Sequence, residues 1–105
     1  MTYFQQGDVL LKPCAKAPDG AKPVGNTARG YILAEGEATG HAHRIEEIAG
    51  VEFTKKNGRL YITNIKPATI RHEEHKPITL PPGCWEIGKV REYDHFTEEA
   101  REVRD

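Results

Sequence analysis

Short apolar runs alternate with turn residues along most of the chain, and this pattern predicts an all-β fold. The clearest local signal is VEFTKKNGRLYITNI, in which two β-rich runs flank Asn57-Gly58, the pair that best tolerates the positive φ angles of a tight hairpin turn. Further strands are predicted at YILAE, ATIRH and CWEIGKVREY, and Val9, Leu10 and Leu11 mark a buried strand near the start. About seven short strands with frequent turns indicate a small antiparallel β-barrel or β-sandwich.

Two segments break this strand pattern. Residues 13–30 are rich in proline and glycine and hold almost no large apolar side chain, which predicts a long loop suited to cover a site. In residues 95–105, Phe96, Ala100 and Val103 recur at helical spacing, which predicts a short C-terminal helix or tail. We expect one domain over the whole chain, because 105 residues is close to the commonest domain size.

Four of the five histidines lie in two short stretches, GEATGHAHRI and RHEEHKPITLPPG. Because side chains alternate across a strand, His41 and His43 share a face with Ile45. In ATIRH, His72 shares the apolar face with Ile70. We therefore expect two strands that are distant in sequence to point three imidazoles into the same interior.

Three inward imidazoles, together with a fourth imidazole or a carboxylate, form a recurrent ligand set for zinc, iron, manganese or nickel. The fourth position stays open: Glu74 shares the parity of His72 if the strand continues, whereas His75 joins the set if the chain turns before Pro77. Such ligands indicate a divalent transition metal but do not identify it. The competing interpretation is a buried hydrogen-bonded histidine network without a metal.

The stretch GEATGHAHRIEE resembles the first half-motif of the cupin superfamily, in which a glycine precedes HxH and a glutamate follows a few residues later. The resemblance implies one metal ion inside a small β-barrel. The ligands that it implies here are His41, His43 and Glu47, with His72 or His75 as the later histidine. Cupins usually place a Pro-x-Gly turn before the last histidine, whereas here Pro81-Pro82-Gly83 follows both candidates.

A second resemblance covers most of the chain. The runs QGDVLL, GEATGHAHR, HEEHKPITLPPG, VREY and EVRD together resemble a family of small uncharacterised bacterial and phage proteins. This likeness supports the histidine pattern as a real motif, and it implies no particular activity.

Composition excludes several classes of function. The formal net charge is -1 at pH 7 and the basic residues are scattered, which argues against a nucleic-acid partner. The chain has no serine, so a serine hydrolase is excluded. No apolar segment has the length of a signal peptide core or a membrane span, and we expect a cytoplasmic protein with no membrane partner. Cys14 and Cys84 lie outside any CxxC pattern; we expect reduced thiols, and the spacing leaves a disulfide between them open.

These observations lead to one main hypothesis and one alternative. The main hypothesis is a small cupin-like protein that holds one divalent transition metal in a histidine cluster and uses it in chemistry on a small polar substrate. Arg91 and Tyr93, at the end of the last long strand, are the candidate substrate-binding residues. The alternative is a non-catalytic binding or adaptor module in which the histidine cluster or its metal is structural. Exposed edge strands would also permit a homodimer.

Overall fold

The computed structural model of the protein describes residues 2–36, 40–90 and 101–104. Regular structure in these residues is β-strand throughout, and none of them belongs to a helix long and apolar enough to cross a membrane. The strands are β1 (Thr2–Gln6), β2 (Val9–Cys14), β3 (Lys22–Pro23), β4 (Tyr31–Glu35), β5 (Ala42–Ile45), β6 (Val51–Lys56), β7 (Arg59–Asn64), β8 (Ala68–Arg71), β9 (Ile78–Leu80), β10 (Gly83–Lys89) and β11 (Arg101–Arg104).

The strands form two antiparallel sheets. The larger sheet has seven strands in the order β11-β1-β2-β10-β7-β6-β3, and the smaller has four in the order β4-β5-β8-β9. All their pairings are antiparallel. The described strands do not close into a barrel, and the arrangement fits a β-sandwich. The prediction of an all-β antiparallel fold is therefore confirmed, and its sandwich form fits better than its barrel form.

The core lies between the two sheets, because each sheet turns its apolar positions toward the other. On β2 the side chains of Val9 and Leu11 are fully buried while Lys12 is exposed, which is the alternation expected of a sheet with one covered face. From the smaller sheet, Ile45 and Ile70 are fully buried in the same cluster. Each such side chain contributes roughly 1.5–3 kcal/mol through removal of its apolar surface from water.

The hairpin between β6 and β7 follows its local sequence. Asn57 and Gly58 take φ angles of 52° and 80°, and Lys56 pairs with Arg59 across the two-residue turn. Two consecutive positive φ angles match the right-handed twist of the flanking strands. The prediction from the Asn-Gly pair is confirmed.

The prediction of a C-terminal helix is wrong for the residues that the structure describes there. Arg101–Arg104 form strand β11, which pairs with β1 and sets Val103 opposite Tyr3. The physical reason is that β1 would otherwise be an open edge with a row of unpaired backbone groups, and the tail supplies their partners. Residues 95–100, the first part of the predicted helix, lie outside the described residues.

The segment predicted as a long loop carries some pairing of its own. Strand β2 extends into it as far as Cys14, and Lys22–Pro23 form a short strand against β6. A single bridge joins Thr27 to Gly30. Turns connect these pieces, as the proline and glycine content indicates.

Candidate metal centre

The pairing of β5 with β8 brings two of the histidines together. Arg44 on β5 lies opposite Arg71 on β8, and one further step along this antiparallel ladder sets His43 opposite His72. The centroids of these two imidazole rings are 4.4 Å apart. His43 is only 3% exposed, whereas His72 is half-buried. Register alone therefore delivers two imidazoles from distant parts of the chain to one place.

The third imidazole arrives because the chain turns after β8. The turn over residues 72–77 returns His75 to the pair, with its ring centroid 4.6 Å from that of His72 and 5.6 Å from that of His43. One ligand atom of each ring lies within 4.8 Å of those of the other two. We refer to His43, His72 and His75 as the histidine trio.

A buried glutamine orients the innermost ring. The side chain of Gln6 is fully buried, and its Nε2 donates to the backbone carbonyls of Ile70 at 3.0 Å and Lys76 at 2.9 Å. Since carbonyl oxygens only accept, this fixes the amide orientation and leaves Oε1 to accept from Nδ1 of His43 at 2.8 Å. His43 therefore carries its proton on Nδ1, and its Nε2 lone pair is available to a metal ion.

The turn between β1 and β2 closes over the same place. Oδ1 of Asp8, which is half-exposed, lies 3.7 Å from Nε2 of His43. Gly7 has a φ of 57°, and a Cβ added to it would stand 2.7 Å from Nε2 of His75. Glycine suits this position because it takes the positive φ angle without strain and leaves the space that the His75 ring occupies.

The surroundings favour the neutral form of His43 and His72. Burial is the main cause that lowers the pKa of His43 to about 4, and the charged forms of His72 and His75 lower it further, against the opposing effect of Asp8. Burial, followed by His75, also lowers the pKa of His72. Both shifts favour the unprotonated imidazole, which is the form that binds metal.

His72 accepts a hydrogen bond that metal binding would break. The backbone N–H of Glu74 donates to Nδ1 of His72 at 3.0 Å. The proton of the neutral ring therefore sits on Nε2. Metal binding at Nδ1 requires displacement of the Glu74 amide, and binding at Nε2 requires a proton on Nδ1, which breaks the same hydrogen bond.

A carboxylate ties the turn after β8 to strand β5. The carboxylate of Glu73 accepts from the backbone N–H of Ala42 at 2.9 Å and from Arg44 at 3.1 Å, and it also pairs with Arg29. The backbone hydrogen bond from Ala42 is the largest cause that lowers the pKa of Glu73 to about 2. The contact fixes the turn that carries His75 relative to the strand that carries His43.

His41 and Glu74 form a pair at the rim of the trio. Nδ1 of His41 lies 3.2 Å from Oε1 of Glu74, and the His41 ring meets that of His72 edge-on, with centroids 5.7 Å apart. Strand β5 begins only at Ala42, and the preceding Gly40 has a φ of 83°. Because His41 precedes the strand, alternation does not carry it inward with His43.

The other residues considered from the sequence lie elsewhere. Oε2 of Glu47 accepts from the backbone N–H of Thr69 at 3.1 Å, and Glu47 itself is exposed. The structure therefore does not bring Glu47 to the trio. Arg91 and Tyr93 lie outside the described residues.

Gln6 and Asp8 contribute to the site, although the sequence pattern singled out neither. The sequence signal for them is the QGD turn between two β-rich runs, which locates a hairpin. The hairpin signal does not indicate that the turn lies over histidines from the opposite sheet, because that contact depends on the packing of two sheets.

Comparison with protein families gives one match. Residues 5–89 match a family described as a domain of unknown function, DUF8820. The matched range contains the trio, Gln6 and Asp8. No curated protein and no solved structure matches the chain.

Proposed function

Since the chain belongs to the DUF8820 family, whose description gives no activity, we propose from the site itself that the protein binds one divalent transition-metal ion through His43, His72 and His75. The observation that carries the proposal is the approach of one ligand atom from each ring to within 4.8 Å of the other two. The site would serve a metal for which imidazole is a good ligand, such as zinc, iron or nickel.

The geometry is close to what an ion requires. Zinc–nitrogen bonds of about 2.0–2.1 Å in a tetrahedral site place two ligand nitrogens about 3.3 Å apart. From separations within 4.8 Å, the rings need to close by about 1.5 Å at most. His72 and His75 are half-buried on a turn and can make this adjustment, while Gln6 holds His43 in place.

Asp8 is the candidate for a further ligand. Its Oδ1 lies 3.7 Å from Nε2 of His43, the ring nitrogen that does not carry the proton. Three imidazoles and one carboxylate form a ligand set that suits manganese as well as iron and zinc. If Asp8 remains outside the ion's ligands, its carboxylate is still placed to accept a proton from a metal-bound water.

One cavity in the described part of the chain is lined by chain neighbours of the site residues. The cavity has a volume of about 180 Å³, and its lining includes Ala34, which pairs with His43, and Val9, which follows Asp8. Most of the lining is apolar, with Lys89 as its charged member. The three histidines are not among its lining residues, so the proposed chemistry, in which the ion would act as a Lewis acid on a small molecule, rests on the ligand set and not on this cavity.

A structural role is the second candidate, and the contacts of Gln6 favour it. Gln6 belongs to β1 of the larger sheet, and it bonds to His43 and to the carbonyl of Ile70, both on the smaller sheet. An ion on His43 would strengthen a connection that already joins the two sheets. If chelation of the metal lowers the melting temperature sharply and no exchangeable water is detected on the ion, the structural role is correct; an intact fold with a lost activity favours catalysis.

Metal analysis of protein produced without a histidine tag tests the proposal directly. We expect about one equivalent of a transition metal per chain, either as purified or after reloading with Zn²⁺, Fe²⁺, Mn²⁺ or Ni²⁺ and desalting. Inductively coupled plasma spectrometry gives the stoichiometry, and titration calorimetry gives the affinity. Less than about half an equivalent with every metal would refute a specific site.

The pH dependence of metal affinity provides a separate prediction. Three ordinary histidines with a pKa near 6.5 would lose about 70-fold in affinity between pH 8 and pH 6, because protons compete for every ligand. The pKa of His43 is lowered to about 4 and that of His72 is also lowered, so protons compete less in this range. We expect a loss below about 10-fold from pH 8 to 6 and a steep loss as the pH approaches 4. Titrations in matched buffers at each pH measure it, and a loss near 70-fold by pH 6 would show that the rings are not shielded.

A further inference from the structure

We propose that Cys14 and Cys84 form a disulfide bond across strands β2 and β10 when the protein meets a low-molecular-weight disulfide such as oxidised glutathione. The inference does not depend on metal binding. It assigns a modification site to the outer face of the larger sheet.

The strand register provides the geometry. Cys14 lies directly opposite Cys84 in the antiparallel pairing of β2 with β10. Residues opposed in this way have Cα atoms about 4.5–5.5 Å apart, which is within the range of about 4.4–6.8 Å that a disulfide needs. The two sulfur atoms lie 3.0 Å apart while both cysteines are free thiols. Bond formation therefore needs rotation of the two side chains and no movement of the backbone.

The two sulfurs differ in their surroundings. Cys14 is half-buried and accessible to a reagent, whereas Cys84 is 7% exposed. The thiol of Cys14 donates to Sγ of Cys84, and Oγ1 of Thr63 lies 3.5 Å from the same sulfur as a second donor. Once Cys14 has formed a mixed disulfide it has no proton to donate, and the hydroxyl of Thr63 remains as the hydrogen-bond donor next to Cys84.

The exchange takes place in two steps. The thiolate of Cys14 attacks one sulfur of glutathione disulfide and releases one glutathione thiolate, which leaves a mixed disulfide on Cys14. The thiolate of Cys84 then attacks Sγ of Cys14 and releases the second glutathione. The protein loses two electrons and two protons, and one glutathione disulfide becomes two glutathione molecules.

The first step is expected to be slow near neutral pH. Burial, followed by the hydrogen bond and charge of Cys84, raises the pKa of Cys14 to about 12. A raised pKa leaves little thiolate at pH 7, and the thiolate is the reactive form. The rate of closure should therefore increase about tenfold for each pH unit between 7 and 9.

The bond would lie far from the histidine trio. The pair is on the face of β2 opposite to Leu11, which packs in the core, and Cys14 ends the strand whose first residue follows Asp8. Cys14 is five positions beyond Val9, about 17 Å along an extended strand. Oxidation should therefore restrict the unfolded chain and raise the melting temperature without a change in the metal site.

The test uses the full chain in glutathione buffers of increasing oxidised fraction at pH 8. We expect both thiols to be lost together, with a decrease in mass of two hydrogen atoms, no dimer on a non-reducing gel and a melting temperature about 10 °C higher. A reductant should reverse all of these changes. Each single variant, Cys14→Ala and Cys84→Ala, keeps one thiol and should show neither the loss of mass nor the higher melting temperature.

Two results would overturn the inference. The first is wild-type protein that keeps both thiols in oxidised glutathione while the same protein unfolded in urea forms the disulfide. The second is wild-type protein that stops at a stable glutathione adduct or forms disulfide-linked dimers. Zn²⁺ titration of the disulfide-bonded and the reduced protein tests the proposed metal site separately. If neither form binds Zn²⁺, the metal site is refuted, and the result of the thiol experiment still stands.

Discussion

Replacement of His43 by alanine is expected to lower the affinity for Zn²⁺ by at least about 100-fold, because the change removes one of the three imidazoles of the proposed site. His43 is the most buried of the trio and the one whose tautomer Gln6 fixes. Titration calorimetry with Zn²⁺ measures the loss, and circular dichroism verifies that the sheets remain. Loss of the buried His43 ring can also disturb folding, so His75→Ala serves as a second variant at a less buried position. It should show a similar loss of Zn²⁺ affinity.

His41→Ala is the matched control for this experiment. His41 is two residues away and belongs to the same HxH motif, but it precedes β5 and pairs with Glu74 at the rim. We expect its loss to change the affinity less than about threefold. Equal losses for His41→Ala and His43→Ala would show that the pair binds the ion together, as the resemblance to cupins implies. No loss for either His43→Ala or His75→Ala would exclude the trio as the site.

The alternation of side chains explains how much of the site could be predicted from the sequence. Ile45 and Ile70 are fully buried, and the same parity carries His43 and His72 to the same side of the sheet. This inference needs only that each strand is covered on one face, which the apolar residues of both strands already indicate. The pairing of the two strands then follows once they are neighbours in the sheet.

Other features could not be predicted because they depend on contacts between distant segments. The HxH spacing gives a common face only if the strand includes both histidines, and β5 begins one residue after His41. The turn with Gly7 and Asp8 has a clear local signal, but its place over the trio follows from the packing of one sheet on the other. The spacing of the tail predicts a helix, but Arg101–Arg104 form a strand because β1 offers them an edge to pair with.

A large loss of stability is expected for Gln6→Leu, a change of nearly constant volume. Leucine has nearly the same size but can neither donate to the carbonyls of Ile70 and Lys76 nor accept the Nδ1 proton of His43. Each buried group that loses its hydrogen bond costs about 1–3 kcal/mol, so the free energy of unfolding should fall by about 3 kcal/mol or more. Urea denaturation followed by the fluorescence of Trp85 measures this, and metal affinity should also fall about 10–100-fold because His43 is no longer oriented.

Gln5→Leu provides the comparison that isolates this role of Gln6. Gln5 is the preceding residue on β1, is also buried, and donates to the carbonyl of Gly7 only two positions away. The hydrogen bond from its side-chain amide to Gly7 is local. The hydrogen bond from the side-chain amide of Gln6 reaches Ile70 in the other sheet, 64 positions along the chain. We therefore expect a smaller loss of stability for Gln5→Leu and little change in metal affinity. Suppose that both variants lose the same stability and bind metal as tightly as the wild-type protein. The Gln6 amide then does not orient His43 for metal binding, and its hydrogen bonds only stabilise the fold.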